Sequence, residues 1–342
     1  MTLLSTLIII VIVMALIFDF VNGWNDSANA IATVVATRVM SPTVAVSMAA
    51  VMNLAGAMVG TEVADTMSKI IHTGPGYASE QGVLVIIVSG LLSAAVWAAV
   101  MTVMGMPISG SHSLIGGVVG AGVAAAGTKI LIGSNIQKTL LAMLFAPALG
   151  FITAYFFYVA LIWITVRWRP STMNRTFGRL QVLSAGWMAF THGTNDAQKV
   201  MGIITLALVS GGFQAADPNG KFHVQFWVQL VCALAISLGT AVGGWKVIKT
   251  LGHHLTKLGP PEGFAAETSA ALVLTIAASF GIPTSTTHTI TGSILGLGAT
   301  RGISSVRWGL GEKIVLAWVF TLPSTIAMGG LLYWIFSRFI SV

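Results

Sequence analysis

The stretch FDFVNGWND, residues 18–26, ends the first apolar run of the chain and places an asparagine beside an aspartate. The whole chain has only ten acidic residues among 342. An ionised aspartate at the centre of a bilayer costs about 2.5–3.5 kcal/mol on insertion scales, so an aspartate at that depth indicates a functional site. Glycine tolerates a break in a helix, and Asn and Asp cap helices well. The stretch therefore predicts a broken helix that restarts at Asn25 or Asp26.

The composition is typical of a protein that crosses a membrane many times. Hydrophobic residues make up 55% of the chain and charged residues 8%, whereas soluble domains carry roughly 25% charged residues. Apolar runs recur at 3–21, 42–60, 83–104, 114–132, 139–166, 180–191, 200–213, 226–248, 265–281, 286–300 and 314–336. We predict an all-α polytopic membrane protein of about ten to twelve helical segments. The runs 180–191 and 200–213 are too short to span alone, so we interpret them as halves of one broken helix.

Two motifs occur twice, in the same order and at nearly the same offset. FDFVNGWND returns as MAFTHGTND (188–196), and GMPISGSH (105–112) returns as GIPTSTTH (281–288). We interpret the chain as two repeats, residues 1–166 and 180–342, joined by a basic linker, 167–179. Repeats with broken helices at corresponding positions are typical of secondary transporters, whose binding site lies near the membrane midplane.

The repeated G-x-P-x-S-x-x-H motif predicts an anion site. Its proline ends one helix or starts the next, so the hydroxyl residues that follow lie at a helix start. Free backbone N–H groups and hydroxyls there form a cup for an anion. The candidate members are Ser109, Gly110, Ser111, Thr284, Ser285, Thr286 and Thr287. We interpret His112 and His288 as buried structural side chains, with a proton-relay role as the alternative.

Carboxylates beside an anion site repel the anion unless they hold a proton or a cation. Anion and cation then stabilise each other in a low-dielectric site, which is the coupling that a symporter needs. Asp26 and Asp196 are the candidate coupling-ion residues, with Na⁺ as a candidate metal ion at this pair. Lys199 follows Asp196 by one helical turn, so it could pair with Asp196, contact the anion or extend to the membrane interface.

Two further acids lie within apolar runs. Glu267 is a candidate coupling-ion residue, and Asp19 precedes Asp26 by seven residues, which places both on one face of a continuous helix. Either acid could bind a proton or simply lie near a loop.

The stretches GWNDSANAIAT, HGTNDAQKVMGI, GMPISGSHSLIG and GIPTSTTHTITG resemble the duplicated signatures of the inorganic phosphate transporter (PiT) family, over nearly the whole chain. The resemblance implies two inverted repeats with broken or re-entrant helices, and symport of inorganic phosphate with sodium or protons. It also implies that the Asn-Asp elements and the hydroxyl-rich breaks form the substrate and ion sites. The residues carried over beyond the hydroxyl cups are Asn25, Asp26, Asn195 and Asp196, with Asn29 as a further candidate.

Two positions depart from the sodium-coupled members of that family. The second Asn-Asp element reads NDAQK with Lys199, and Asn53 stands where an acid is expected. Both features are similar to the bacterial low-affinity branch, which takes up phosphate with protons, often as a neutral complex with a divalent metal. We therefore expect proton-coupled phosphate symport without a cofactor. The alternatives are sodium coupling, transport of sulfate or another oxyanion, and, in a different class, an anion channel.

An enzyme is disfavoured because the His and Ser residues of the proline motif have no third orienting residue at a definable spacing. The linker arginines, Arg167, Arg169, Arg175 and Arg179, predict a cytoplasmic linker. The resemblance then places the amino terminus outside the bacterial inner membrane. The net charge of +7 lies in loops and indicates no nucleic-acid partner. The glycine steps Gly116–Gly120 and Gly292–Gly296 are compatible with a homodimer.

Overall fold

The computed structural model describes residues 2–74, 76–215 and 222–340. Within these ranges the chain folds into twelve α-helices, which confirms the all-α prediction. They are α1 (Leu3–Ala36), α2 (Pro42–Ala57), α3 (Glu62–Met67), α4 (Glu80–Met104), α5 (Gly110–Ala126), α6 (Gly133–Thr165), α7 (Pro170–Ser210), α8 (Phe226–Val242), α9 (Trp245–Lys249), α10 (Pro260–Ser279), α11 (Thr286–Thr300) and α12 (Trp308–Phe336). Single helical turns occur at Thr128–Ile130, Thr250–His254 and Ile303–Ser305.

Several helices have the length and composition of membrane spans. In the described part of the chain, α1, α4, α6 and α12 are each long and apolar enough to cross a bilayer. A fifth such span consists of α8 and the helical segment Trp245–His254, which are bent by 63° relative to each other. These helices confirm the prediction of a multi-pass membrane protein.

The predicted breaks at the Asn-Asp motifs are wrong. Helix α1 continues through Gly23 and Asp26, and α7 continues through Gly193 and Asp196. The runs 180–191 and 200–213 therefore belong to one unbroken helix of 41 residues.

The two motif glycines allow close helix packing instead of a break. A Cβ atom at Gly23 would lie 2.2 Å from the carbonyl oxygen of Ile236 in α8. One at Gly193 would lie 2.2 Å from the carbonyl oxygen of Asn53 in α2. Small residues let membrane helices approach this closely, because no side chain separates the two backbones.

The breaks predicted at the proline motifs are present. Helix α4 ends at Met104 before α5 begins at Gly110, and α10 ends at Ser279 before α11 begins at Thr286. Gly105 and Gly281 have φ angles of 75° and 61°, which glycine adopts without a steric penalty. Each break thus ends in a helix start that points into the protein.

The linker is shorter than predicted. Helix α7 already begins at Pro170, so Arg175 and Arg179 lie on its first turns, and only residues 166–169 connect α6 to α7. Proline suits the first turn of a helix, because its φ angle is preset and its missing N–H needs no partner there.

The packing of the two halves is reciprocal. Helix α1 packs against α8 while α7 packs against α2, and α5 packs against α12 while α11 packs against α6. Helices α1 and α7 run antiparallel, because Gly211 lies beside Ile8 and Thr37 Oγ1 donates to Gln181 Oε1 at 2.9 Å. The division into repeats 1–166 and 180–342 and the inversion of these repeats stay predictions.

The glycine steps of α5 and α11 are used inside the protomer. A Cβ atom at Gly120 would lie 2.0 Å from the carbonyl oxygen of Ile326 in α12. Cβ atoms at Gly292 and Gly296 would lie 2.2 and 2.3 Å from the carbonyl oxygens of Pro147 and Phe151 in α6. These faces are therefore occupied and give no support to a homodimer, which stays a prediction.

Candidate functional site

The two Asn-Asp motifs meet where α1 and α7 cross, and their aspartates share one histidine. His192 Nε2 lies 3.5 Å from Asp26 Oδ2 and 3.4 Å from Asp196 Oδ2. We call Asp26, His192 and Asp196 the central cluster. All three are at most 2% exposed, and their ligand atoms lie within 4.8 Å of one another. A spacing of this kind suits a shared proton or a bound cation.

A second layer of polar residues holds the histidine ring. His192 Nδ1 lies 2.9 Å from Asn53 Oδ1, and Asn53 Nδ2 donates to Thr240 Oγ1 at 2.7 Å. The ring is therefore tied to α2 and α8, which keeps Nε2 directed at the two carboxylates. Asn53 thus supports His192, and in the described part of the chain its side chain is not hydrogen-bonded to either aspartate.

Lys199 pairs with Asp196, which was one of three predicted alternatives. Its Nζ atom donates to Asp196 Oδ1 at 2.5 Å, to Ser111 Oγ at 2.5 Å and to the Thr284 carbonyl at 2.6 Å. The side chain is 2% exposed, so it does not extend to a membrane interface. The ammonium thus links the central cluster to both helix breaks.

Hydroxyls at the start of α11 contact both aspartates. Thr287 Oγ1 donates to Asp26 Oδ1 at 2.8 Å, and Thr286 Oγ1 lies 3.3 Å from both Asp26 Oδ2 and Asp196 Oδ2. Asn29 Nδ2 donates to both threonine hydroxyls, at 3.3 and 3.0 Å. The helix start is therefore joined to the carboxylates by direct hydrogen bonds.

The serines of the proline motifs divide into two groups. Ser109 and Ser285 cap α5 and α11 by accepting from the N–H groups of His112 and His288. Ser111 donates to the Thr284 carbonyl at 3.1 Å and so joins the two breaks. Gly110 leaves no space for a Cβ, because Asn22 Oδ1 would be 1.8 Å from it.

Four asparagines surround the central cluster and keep free acceptors. Asn22 donates to Asp196 Oδ2 at 3.2 Å, Asn25 to Thr102 Oγ1 at 2.8 Å, and Asn195 to Thr284 Oγ1 at 3.1 Å. The Oδ1 atoms of these three and of Asn29 are buried without a donor among the described residues. Buried acceptors are normally satisfied, so these oxygens are available to a cation or to a protonated oxyanion.

Glu267 lies outside the central cluster. It accepts from Ser184 Oγ at 2.5 Å and from Thr33 Oγ1, which ties α10 to α7 and α1. Thr33 follows Asn29 by one turn of α1, so polar groups continue from the central cluster towards the carboxyl end of that helix. Asp19 lies on the opposite side and is fully buried.

His112 and His288 form a pair with each other. Their ring centroids are 4.7 Å apart, and the Trp318 ring packs against His288 with a centroid distance of 3.9 Å and a tilt of 30°. Both rings border an apolar cavity of about 820 Å³ at the side of the bundle. Among the described residues neither ring is hydrogen-bonded to the central cluster, and the interpretation as buried structural side chains stays a prediction.

Sequence reasoning missed His192 and Asn22. Both lie within the repeated stretches, and His192 occupies the position in MAFTHGTND that Asn22 occupies in FDFVNGWND. A polar residue at the same place in both copies was the available signal. Thr102, Thr240 and Ser184 had no such signal, because they lie outside the repeated motifs.

Comparison with known proteins places this geometry in a family. The profile of the "Phosphate transporter family" matches residues 22–329, a range that includes both Asn-Asp motifs and both proline motifs. The chain belongs to the phosphate transporter family. Membership confirms the resemblance noted in the sequence, and it identifies the chain as a transporter and not an enzyme.

Relatives in the phosphate transporter family match over nearly their full length. The chain is 44% identical to a "Probable low-affinity inorganic phosphate transporter" of Rhizobium meliloti, with 92% of each chain covered. It is 40% identical to a protein of the same description in Bacillus subtilis, with 98% of each covered. A solved structure titled "The sodium-dependent phosphate transporter" has a TM-score of 0.86 at 24% identity, covers 98% of this chain and shares its fold.

Proposed function

We propose that this protein is a proton-coupled symporter of inorganic phosphate. Phosphate binds at the starts of α5 and α11, where its oxygens replace present acceptors of Ser111, Thr286, Thr287 and Lys199. The central cluster binds the coupling ion, and Glu267 is a second coupling-ion residue. Hydroxyls, helix starts and an ammonium are the groups that bind oxyanions in proteins.

The observation that carries proton coupling is the position of Lys199. Its ammonium lies 2.5 Å from Asp196 Oδ1 and so already compensates the charge of the aspartate to which a sodium ion would bind. A cation bound there would lie within a few ångströms of the ammonium and be repelled strongly in a buried, low-dielectric site. A proton shared by His192 and the carboxylates requires no oxygen cage, so it avoids that conflict.

The acceptors of the site favour phosphate over sulfate. Phosphate keeps a proton at neutral pH and can donate a hydrogen bond, whereas sulfate only accepts. Two carboxylates and the unpaired oxygens of Asn22, Asn25, Asn29 and Asn195 offer acceptors for that proton. The asparagine oxygens are also ligands for a divalent cation whose charge the bound phosphate balances, so under this proposal a neutral metal-phosphate complex is a second form of the substrate.

We place the protein in a bacterial inner membrane with residues 166–169 in the cytoplasm and the amino terminus outside. The carboxyl end of α1 lies beside the start of α7, since Thr37 donates to Gln181 at 2.9 Å. Arg38, Arg167 and Arg169 lie at this end, and Lys257 and Arg301 are joined there by a hydrogen bond. An excess of Lys and Arg marks the cytoplasmic side.

The test is phosphate uptake into proteoliposomes that contain the purified protein. A proton gradient and a sodium gradient are imposed separately, and sulfate is added as a competitor. We expect the proton gradient alone to drive uptake, sulfate to compete weakly, and Asp26→Asn to abolish uptake because the variant loses a member of the central cluster. Lys249→Met, a change at an exposed lysine of α9, is the matched control and should transport like the unmodified protein.

Uptake driven only by sodium would overturn proton coupling and leave phosphate transport standing. Uptake of sulfate in place of phosphate would overturn the substrate assignment. Phosphate flux that follows the phosphate gradient alone, and ignores both ion gradients, would indicate a channel.

A further inference from the structure

Asp19 is a buried acid without a partner. It is 0% exposed, and neither carboxylate oxygen receives a hydrogen bond from any described residue. The other buried acids, Asp26, Asp196, Glu262 and Glu267, all accept hydrogen bonds. Asp19 therefore differs from every other buried acid that the structure describes.

The position of Asp19 relates it to the central cluster. It precedes Asn22 by one helical turn and Asp26 by two, on the same face of α1. Helices α1 and α7 are antiparallel. Asp19, which precedes Asp26, and Lys199, which follows Asp196, are therefore both displaced towards the amino terminus of α1. In the second copy of the motif, Ala189 stands at the matching position, so the acid occurs on one side of the centre only.

Few charged groups face Asp19. Helix α7 contributes His192, Asp196 and Lys199, and α8 contributes the buried thiol of Cys232. Helix α4 has no titratable residue between Gln81 and Met104. Lys199 is the only lysine or arginine among them, and its three donors are engaged by Asp196, Ser111 and Thr284.

An ionised carboxylate in this environment is costly. It would lie in the interior of a membrane protein with neither a donor nor a free cation, and a buried charge without these is strongly disfavoured. The neutral acid avoids most of that cost. A carboxyl group in this position can therefore exist in the conformation described here only with a proton bound.

We propose that Asp19 is a proton-binding site for coupling, on the amino-terminal side of the central cluster. The carboxylate takes up one proton when that side opens to water and becomes a neutral acid as the site closes. It releases that proton to water on the opposite side of the membrane, once the site has opened there and the carboxyl group is hydrated again. This inference rests on the proposed proton-coupled function. It adds an acid that occurs in only one of the two copies of the motif.

The test uses the full-length protein in proteoliposomes with the membrane potential clamped. Two quantities are measured: exchange of labelled phosphate at equal pH on both sides, and accumulation of phosphate driven by a pH gradient. One pH unit supports about a tenfold accumulation per coupled proton, since each tenfold corresponds to about 1.4 kcal/mol. The variants are Asp19→Asn, which resembles the protonated acid, Asp19→Glu, which restores a titratable carboxyl, and Glu312→Gln, which removes an exposed acid of α12.

We expect Asp19→Asn to retain exchange while losing the accumulation that the pH gradient drives. Asp19→Glu should recover accumulation, and Glu312→Gln should behave like the unmodified protein. The inference is overturned if Asp19→Asn still accumulates phosphate in response to the gradient. It is also overturned if Asp19→Asn loses exchange, because a neutral isostere should leave the phosphate route intact. Failure of the unmodified protein to respond to a pH gradient would instead overturn the proposed function.

Discussion

Replacing Lys199 by Met should destabilise the protein through the charge that it leaves behind. Lys199 and Asp196 are each 2% exposed, and the ammonium makes three hydrogen bonds of 2.5–2.6 Å. Breaking a buried ion pair from one side costs about 3–5 kcal/mol, because the remaining charge is uncompensated. Asp196 would keep Asn22, Thr286 and His192 as neighbours at 3.2–3.4 Å, so we expect a value near the lower limit, about 3 kcal/mol.

The assay is unfolding in mixed micelles by titration with a denaturing detergent, in a double-mutant cycle. Asp196→Asn leaves the ammonium unpaired and should cost a similar amount. The double variant Lys199→Met/Asp196→Asn has no unpaired charge, so its loss should fall short of the sum by about 2–3 kcal/mol. Lys249→Met, at an exposed lysine, should change stability by less than about 0.5 kcal/mol. Losses that add within about 0.5 kcal/mol would refute the reasoning, because independent sites behave in that way.

Further predictions concern packing and support of the site. Gly23→Ala and Gly193→Ala should each cost about 1–3 kcal/mol in the same titration, because the new methyl group would force two helix backbones apart. Gly309→Ala, where no atom lies within 4 Å of the added Cβ, should be neutral or stabilising, and an equal loss there would contradict the packing argument. Asn53→Ala should cost about 1–3 kcal/mol, since it leaves the buried Nδ1 of His192 without a partner; an unchanged midpoint would exclude Asn53 as the support of that ring.

The proline motifs were the most predictable part of the fold. Proline restricts the backbone wherever it occurs, so GMPISGSH and GIPTSTTH indicated the two breaks without knowledge of the tertiary structure. Ser109 and Ser285 then cap their helices as local chemistry requires. Breaks and caps of this kind depend on residues close in the sequence, so they can be predicted from the sequence alone.

The helix breaks predicted at the Asn-Asp motifs were wrong, because a glycine can either break a helix or allow another helix to pack closely. Gly23 and Gly193 could have released the backbone from a helix, but each one makes room for the backbone of another helix. The sequence of α1 does not reveal that Ile236 of α8 lies opposite Gly23. The same limit applies to His192, whose role depends on Asp26 in the other half of the chain.

The pairing of Lys199 with Asp196 was accessible because both residues lie on one helix, three positions apart. The bonds of Lys199 to Ser111 and Thr284 were not accessible, because they depend on how the two breaks approach each other. Asp19 was recognised as a candidate from the apolar run around it. Its lack of partners could be established only from the packed structure.

The central claim is that phosphate binds at the starts of α5 and α11 beside Asp26 and Asp196. Equilibrium binding of radiolabelled phosphate to the purified protein tests it most directly. We expect Thr286→Val/Thr287→Val to weaken binding about tenfold or more, because two hydroxyls worth about 0.5–1.5 kcal/mol each are removed. Thr300→Val, at the far end of α11, should bind phosphate normally. Equal affinity in all three proteins would contradict the claim and move the phosphate site away from these helix starts.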